Sequence, residues 1–258
     1  MINILKKFIR FIIDKIDANG RRCDASKKCP KAVVLTYHRV ATLLHDPLML
    51  AVSPQHFDEQ LNHLKQNFEI VSLKELIARL RSRSLRGKEL AITFDDGYID
   101  NMIEALPIAR IHNVPITIFV TSGILDSTFF FPWDKEYGND KNAYLSKEDL
   151  DQLIHDPSVL IGAHTHTHPR LRTLDREDQK KEIVSMVSPK TPYLAYPYGG
   201  RLDFSRTSKK LAKEAGYEAA FATRNRIIMP QTDLYDLPRI NVRDWNGTEL
   251  VDRIKRYL

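Results

Sequence analysis

The sequence predicts an α/β fold in which a parallel sheet curls into a barrel of seven or eight strand–helix units. From residue 32 onward, short apolar runs alternate with amphipathic helical segments, which is the pattern of repeated β/α units. Several of these runs are apolar throughout, as strands buried on both faces are. Polar residues directly follow many of the runs, at the edge where β/α barrels carry their catalytic groups.

The predicted elements follow each other along the chain with short connections. The strand segments are 32–37, 68–71, 90–95, 116–120, 159–164, 193–198, 219–223 and 239–242. The helical segments are 53–67, 72–83, 101–113, 146–156, 175–188, 204–216 and 247–258. Residues able to cap a helix lie at or near many of the helix starts, namely Ser53, Ser72, Asp100, Ser146, Asp175 and Thr248. This number of units favours a closed barrel over an open sheet.

The composition indicates one folded domain with a charged N-terminal extension. The chain has 258 residues, of which 43% are hydrophobic and 28% charged, which suits a single globular domain. Residues 1–31 hold nine of the 39 basic and three of the 33 acidic residues, so the remainder holds 30 of each. A neutral body without a basic stripe argues against nucleic acid as a partner.

Residues 1–30 are interpreted as a segment separate from the barrel domain at 31–258. Apolar residues at helical spacing, with most Lys and Arg off that face, predict a basic amphipathic helix over residues 1–22. We expect it to pack on the domain, and docking on an anionic membrane is the open alternative. The spacing of Cys23 and Cys29 indicates incidental free thiols. We therefore expect a cytoplasmic protein, with peripheral contact at the inner face of the membrane under that alternative.

Two stretches, "TFDDGY" and "GAHTHTHPRL", carry the clearest chemical signal. Asp95 and Asp96 end a predicted strand, and adjacent buried carboxylates need a cation nearby. In an extended chain His164, His166 and His168 face one way, whereas in a bent chain His164 and His168 converge. Two imidazoles and a carboxylate with an open position suit a catalytic metal. The spacing alone leaves open which histidines bind, and also a hydrogen-bonded cluster without metal.

Four motifs together resemble those of the polysaccharide deacetylases, the NodB-homology or carbohydrate esterase 4 group. They are "TFDDGY", "GAHTHTHPRL", "AYPYGG" and "NVRDW", and the resemblance spans roughly residues 32–245. It implies a distorted barrel of the NodB-homology type and an enzyme, a metal-dependent carbohydrate N-deacetylase. It also implies Asp96, His164 and His168 as ligands of one divalent metal, zinc before cobalt, nickel or iron. His166 would then support the loop or face the substrate.

The resemblance further implies catalytic roles for three residues. Asp95 corresponds to the general base that takes a proton from the attacking water. The backbone N–H of Tyr198 corresponds to a donor for the oxyanion. The family's C-terminal acid histidine is absent, because no histidine follows His168. In one branch of the family that motif is permuted to the first strand, which implies His38 of "TYHRV" as the acid.

A second departure concerns the arginine that pairs with the base in most members. Ala195 stands at its position. Arg239 or Arg243 is the expected substitute, with Asp244 orienting one of them and Trp245 packing at the rim. We count Asp244 and Trp245 among the residues near the oxyanion or the substrate.

The expected substrate is an N-acetylated sugar in a surface polysaccharide, a lipid-linked saccharide or a lipopolysaccharide precursor. The aromatic segment 129–137 is expected to border the cleft, with a sugar ring on Trp133 or Phe131, and a hydrophobic lid is the alternative. Two other functions stay open. One is a metal-dependent hydrolase of a non-sugar C–N bond, which a small closed pocket beside Trp133 would favour. The other is a non-catalytic glycan-binding domain.

Overall fold

A curled parallel sheet forms the centre of the protein in a computed structural model that describes residues 29–136, 143–186, 188 and 190–258. Its strands are β1 (Val33–Tyr37), β4 (Glu69–Ile70), β5 (Glu89–Phe94), β6 (Ile116–Val120), β7 (Val159–Ala163), β8 (Tyr193–Ala195), β9 (Ala219–Phe221) and β10 (Ile240–Asn241). Their order across the sheet is β10-β1-β5-β6-β7-β8-β9, and β4 pairs with the start of β5. β2 (Arg39–Val40) and β3 (Ala51–Val52) form a separate parallel pair.

The sheet curls until one short segment joins its two edges. The Leu237 N–H donates to Ala220 C=O over 3.0 Å, and the Ala222 N–H donates to Leu237 C=O over 2.8 Å. Only a few residues further along the chain, β10 pairs with β1. The result is a distorted half-barrel in a single domain, and the predicted fold class is confirmed.

Helices surround the sheet close to their predicted positions. They are α1 (Pro54–Asn67), α2 (Leu73–Arg81), α3 (Leu106–Ile111), α4 (Pro132–Glu136), α5 (Lys147–Ile154), α6 (Arg176–Val184), α7 (Arg206–Glu214) and α8 (Gly247–Lys255). Side chains of Ser53, Ser72, Ser146 and Asp175 accept backbone N–H bonds as predicted caps.

Two predicted caps are wrong. A π-helical turn, Asn101–Ala105, precedes α3, and the side chain of Asp100 makes no capping bond there. At α8 the cap is Asn246, whose side chain accepts from the Glu249 N–H. Thr248 lies inside that helix. The β2–β3 pair and α4 were not predicted, because each is too short to show a hydrophobic period.

Both faces of the sheet are buried, which explains the uninterrupted apolar runs. On β1, Val34 belongs to a cluster that also includes Phe119 and Phe221, whereas Val33 and Leu35 belong to a second cluster. Neighbouring strand residues point to opposite faces. Helix α2 packs into the first cluster, and α1, with α8, packs into the second. Packing on both faces thus fixes the strands in place, with their carboxyl ends at one rim of the half-barrel.

Residues 1–28 lie outside the described residues. The division at residue 30, the basic helix over 1–22, its membrane contact and the cytoplasmic location therefore stay predictions. Cys29 is disulfide-bonded, so the expectation of a free thiol is wrong and no longer supports a reducing compartment. Within the described ranges, none of the helices combines the length and apolarity needed to cross a bilayer.

Candidate active site

The carboxyl end of β5 places two buried carboxylates at the rim of the barrel. Asp95 and Asp96 are each 2% exposed. The chain turns sharply after the strand: Asp96 has φ 75° and Gly97 has φ 90°. A left-handed conformation at a non-glycine residue costs energy and is concentrated at functional sites. The turn directs the two neighbouring side chains to different partners.

Asp96, His164 and His168 form the metal-type cluster among the described residues. One ligand atom from each side chain lies within 4.8 Å of the others. Asp96 Oδ1 is 3.5 Å from His164 Nε2 and 3.4 Å from His168 Nε2. These separations exceed the roughly 2.7–3.2 Å of a normal N–H···O bond. The three atoms therefore surround a common space instead of bonding to one another.

The chemistry of these donors fits a divalent cation. Nδ1 of His164 lies 2.8 Å from the carbonyl oxygen of Ala195. A carbonyl only accepts, so the neutral ring carries its hydrogen on Nδ1 and turns the Nε2 lone pair toward Asp96. Within the described part of the chain, Asp96 Oδ1 has no hydrogen-bond partner. Buried acceptors facing each other without a shared donor are costly unless a cation lies between them.

Burial and the neighbouring charges shift the pKa of each member of the cluster. Burial opposes ionisation of Asp96, yet the neighbouring His164, His168 and His38 together lower its pKa to about 2. Burial likewise opposes the charged form of His164, but Asp95 and Asp96 raise its pKa. Burial lowers the pKa of His168 to about 3. A metal binds the neutral imidazole, so the raised pKa of His164 should make metal affinity fall at low pH.

Arg239 is the arginine that pairs with Asp95. Its Nη1 donates to Oδ1 over 2.6 Å and its Nη2 to Oδ2 over 2.7 Å. The side chain is completely buried, and it also donates to Thr93, Thr223 and the Ala222 carbonyl. Burial would raise the pKa of Asp95, but the charges of Arg239 and His164 lower it. Asp95 is therefore ionised and held in one orientation.

Arg243, the other predicted substitute, points elsewhere. Its Nη1 lies 3.5 Å from the carbonyl of Leu48 and 3.4 Å from that of Met49. Asp244 accepts from the Ser53 N–H and hydroxyl, each over 2.9 Å, and from His56 Nδ1 over 2.7 Å. Its carboxylate thus organises the start of α1, and its predicted role in orienting the arginine beside the base is wrong.

Trp245 packs beside helices α1 and α8. It is partly buried against the second core cluster, and the Arg253 guanidinium lies 4.2 Å from its ring centroid. The Gln60 side-chain amide donates to the Trp245 carbonyl over 2.5 Å. Contact of Asp244 or Trp245 with a substrate stays a prediction.

His166 points away from His164 and His168 and is not part of their cluster. His166 Nδ1 is hydrogen-bonded to Ser122 Oγ over 2.9 Å. Its backbone N–H donates to Glu182 over 2.8 Å, and its carbonyl accepts from Gly123. The bent alternative of the sequence analysis is the one adopted, with Thr165 and His168 at φ 64° and 54°. His166 supports the loop that carries the other two imidazoles.

His38 lies at the same rim, directly after β1. Its ring is partly exposed and close enough to lower the pKa of Asp95, Asp96 and His168. The adjoining strands β1 and β5 pair in register, with Tyr37 opposite Phe94. This pairing brings His38 beside the two carboxylates although more than 50 residues separate them in the sequence.

Tyr198 and Arg170 border the mouth of the cluster. The Tyr198 ring centroid is 4.8 Å from that of His168, and the Arg170 guanidinium lies 4.0 Å from the Tyr198 ring. Tyr198 has φ 58° and is 42% exposed. The next residue must be glycine, because a Cβ on Gly199 would lie 2.3 Å from the Thr223 nitrogen. The "YPYGG" turn is therefore shaped by close backbone approach.

Within the described residues, the aromatic side chains at 129–133 pack mainly on the domain. Phe131 is completely buried and stacks on Trp133 with centroids 4.7 Å apart. Phe131 therefore cannot receive a sugar ring. Trp133 is partly exposed, its Nε1 donates to Tyr98 Oη over 3.0 Å, and its ring lies 5.5 Å from that of His168. Of the two predicted stacking residues, only Trp133 stays available.

Comparisons with known proteins agree with this fold and site. The sequence profile of the family described as "Polysaccharide deacetylase" matches residues 82–220, more than half of the chain. A poly-beta-1,6-N-acetyl-D-glucosamine N-deacetylase of Staphylococcus epidermidis is 26% identical, with 84% of this chain and 83% of that protein covered. The chain belongs to the polysaccharide deacetylase family, and is an enzyme of that class.

Solved structures share the same fold. The Streptococcus pyogenes deacetylase PplD, in complex with acetate, superposes with a TM-score of 0.72 at 22% identity, covering 88% of this chain and 99% of that one. IcaB from Ammonifex degensii superposes with a TM-score of 0.69 at 23% identity, covering 88% and 97%. At sequence identities of 22% and 23%, these superpositions show a shared fold.

Proposed function

We propose that this protein is a metal-dependent hydrolase that removes the N-acetyl group from an N-acetylhexosamine unit of a glycan. The observation that carries the proposal is the buried cluster of Asp96, His164 and His168 beside the Asp95–Arg239 pair. The candidate ligands are these three side chains, and zinc is the first candidate metal. When bound, the metal supplies Lewis acidity, which polarises a carbonyl and lowers the pKa of water.

Asp95 is proposed as the general base. It is ionised, and Arg239 contacts both of its carboxylate oxygens. The second lone pair of each oxygen stays available to accept a proton from the attacking water. His38, the residue proposed to donate a proton, is close enough to Asp95 to lower the pKa of its carboxylate. The base and the acid thus come from neighbouring strands of one rim.

His38 is proposed as the general acid. Its imidazolium donates a proton to the sugar nitrogen as the C–N bond breaks, because an unprotonated amide nitrogen is a poor leaving group. Water adds its oxygen to the acetyl carbon, and the products are acetate and the free amine. The Tyr198 backbone N–H is the proposed donor to the developing oxyanion.

The substrate is proposed to be a chain of N-acetylated sugars that lies over the adjacent Trp133 and Tyr198 rings at the mouth of the cluster. The centroids of these two rings lie 6.5 Å apart, and each ring also contacts His168. The Staphylococcus epidermidis relative is named as acting on poly-beta-1,6-N-acetyl-D-glucosamine. Short oligomers of β-1,6-linked N-acetylglucosamine are therefore the first substrates to test, beside β-1,4-linked oligomers.

The deciding experiment measures acetate release from these oligomers by zinc-loaded, chelator-treated and reloaded enzyme. We expect release by the loaded enzyme, loss after chelation and recovery on reloading. Asp95→Asn serves as the control that keeps the metal cluster but removes the base. Undiminished release by the chelated enzyme, or by Asp95→Asn, contradicts the proposed chemistry.

A further inference from the structure

Two consecutive side chains, Asp100 and Asn101, hold the backbone that directly follows the Cα of His38. The Asn101 amide donates to the His38 carbonyl over 2.8 Å. Asp100 Oδ1 accepts from the Val40 N–H over 3.1 Å, and Asp100 Oδ2 accepts from Arg39 Nε over 2.8 Å. Asp100 and Asn101 thus bond to the His38 carbonyl, the Arg39 side chain and the Val40 N–H.

These contacts lie in the protein interior, and Asp100 makes them in place of a bond to its own helix. Asp100 is 4% exposed and Asn101 is fully buried. Asp100 stands where a helix cap is expected, yet its carboxylate makes no capping bond and turns instead to the other chain segment. The helix begins with a π-helical turn, Asn101–Ala105, a departure that is often found at functional sites.

We propose that Asp100 and Asn101 are positioning residues that aim the His38 imidazole at the leaving nitrogen. This inference rests on the proposed role of His38 as the acid. Proton donation requires the donor within hydrogen-bond reach of the acceptor, and a shift of about 1 Å can cost about 100-fold in rate. The two side chains fix the two peptide groups that follow His38, and with them one side of the backbone that carries the imidazole.

The test compares two substrates that differ in their need for an acid. Deacetylation of an N-acetylglucosamine oligomer needs protonation of nitrogen, whereas 4-nitrophenyl acetate releases a stable phenolate without it. In the full-length, zinc-loaded protein we expect Asn101→Asp and Asp100→Asn to lower kcat for the amide about 100-fold. The same variants should lower aryl ester hydrolysis less than about threefold and leave KM unchanged, because only the proton donor is misplaced.

The ratio of amide to ester activity is independent of the fraction of folded enzyme, so partial unfolding does not mimic the result. Glu104→Gln is the matched control, an exposed acid-to-amide change on the same π-helical turn, and it should leave the ratio unchanged. If Asn101→Asp does not fold, Asn101→Ser removes the same amide donor with a smaller side chain. Metal content is measured in each variant.

The outcomes separate this inference from the function on which it rests. Selective loss of amide activity in His38→Ala and in both positioning variants supports the inference. Selective loss in His38→Ala alone overturns the inference and leaves the proposed function standing. Equal loss of both activities in Asn101→Asp assigns that residue a structural role. If His38→Ala itself keeps the wild-type ratio, the acid assignment fails and the inference fails with it.

Discussion

The two ends of strand β5 each carry a buried carboxylate, and the protein treats the two in opposite ways. At the amino end, Glu89 accepts from the backbone N–H groups of residues 86–88 over 2.6–3.1 Å and from Arg79 over 3.2 Å. At the carboxyl end, within the structurally described chain, Asp96 Oδ1 faces two imidazoles and lacks a hydrogen-bond partner.

This difference separates a structural acid from a reactive one. Each oxygen of Glu89 is saturated by donors, so its charge stabilises the turn before the strand. Asp96 is equally buried but keeps an oxygen free of hydrogen bonds, which the fold tolerates only if another group compensates it. Beside it, each oxygen of Asp95 accepts one bond from Arg239. The carboxyl end therefore combines an oriented base with an acceptor reserved for a cation.

The largest expected effect is the loss of metal from the carboxyl end. His168→Ala should lower the metal content from about one to below about 0.1 per chain and reduce kcat/KM by roughly 10³-fold, because a metal contributes several kcal/mol. Elemental analysis and acetate release measure the two effects. His166→Ala is the control and should keep its metal, since its ring bonds to Ser122. Loss of metal in both variants would contradict the cluster described above.

The next effect concerns the pair that orients the base. Arg239→Lys keeps a positive charge but cannot donate two parallel bonds to Asp95. We expect kcat to fall about 100-fold with metal content unchanged, because an acid or base contributes about 10²- to 10⁴-fold. Arg243→Lys, at a site that faces Leu48 and Met49, is the matched control. An undiminished kcat in Arg239→Lys would show that Arg239 acts only through its charge, and equal losses in both variants would show that the loss is not specific to the pair with Asp95.

At the amino end the expected effect is on stability alone. Glu89→Gln replaces a carboxylate that accepts four bonds by an amide with one acceptor oxygen. We expect a loss of about 1–3 kcal/mol in the free energy of unfolding, the usual cost of leaving buried donors unpaired. Denaturant unfolding measures this loss. Metal content and kcat should stay at the wild-type values, and a drop in either would mean that the two ends of β5 are coupled.

The smallest expected effect is a change in acid sensitivity. Burial opposes the charge of Glu89, but its backbone bonds and Arg79 lower its pKa below 4.5 in the folded protein. A lowered carboxyl pKa contributes stability above the unfolded value, and this stability is lost as pH falls toward the folded value. The difference in Tm between wild-type and Glu89→Gln apoprotein should therefore shrink as pH drops below 4.5. A constant difference from pH 7 to pH 3 would contradict the charged role of Glu89.

The sequence predicted the strands well because their apolar runs record burial on two faces. It also predicted that Asp95, Asp96 and His164 meet at one rim, since residues that follow parallel strands share it, and the resemblance to the deacetylase motifs implied Asp96, His164 and His168 as ligands. The spacing alone did not decide between His166 and His168, because that choice depends on a bend with left-handed residues at 165 and 168. Pro169 discouraged a helix there but did not specify the bend.

Two errors at helix starts and rims have a common cause. The sequence expected Asp100 to cap its own helix and Asp244 to orient an arginine. Each carboxylate instead bonds to a segment distant in the sequence, Asp100 to Arg39 and Val40, and Asp244 to Ser53 and His56. A local pattern shows that an acid stands at a helix start or a strand end. It does not show which distant donor lies opposite.

By itself, the sequence determined the β/α architecture and the residue types at the rim, because hydrophobic period and strand ends are local properties of the chain. Only the tertiary structure decided that Arg239 pairs with Asp95, residues 144 positions apart. That pairing depends on β10 lying beside β1 and β1 beside β5. It depends equally on the closing segment at Leu237, which places the Arg239 side chain inside the barrel. The ion pair is a consequence of how the sheet curls, and the curl results from contacts between all its strands.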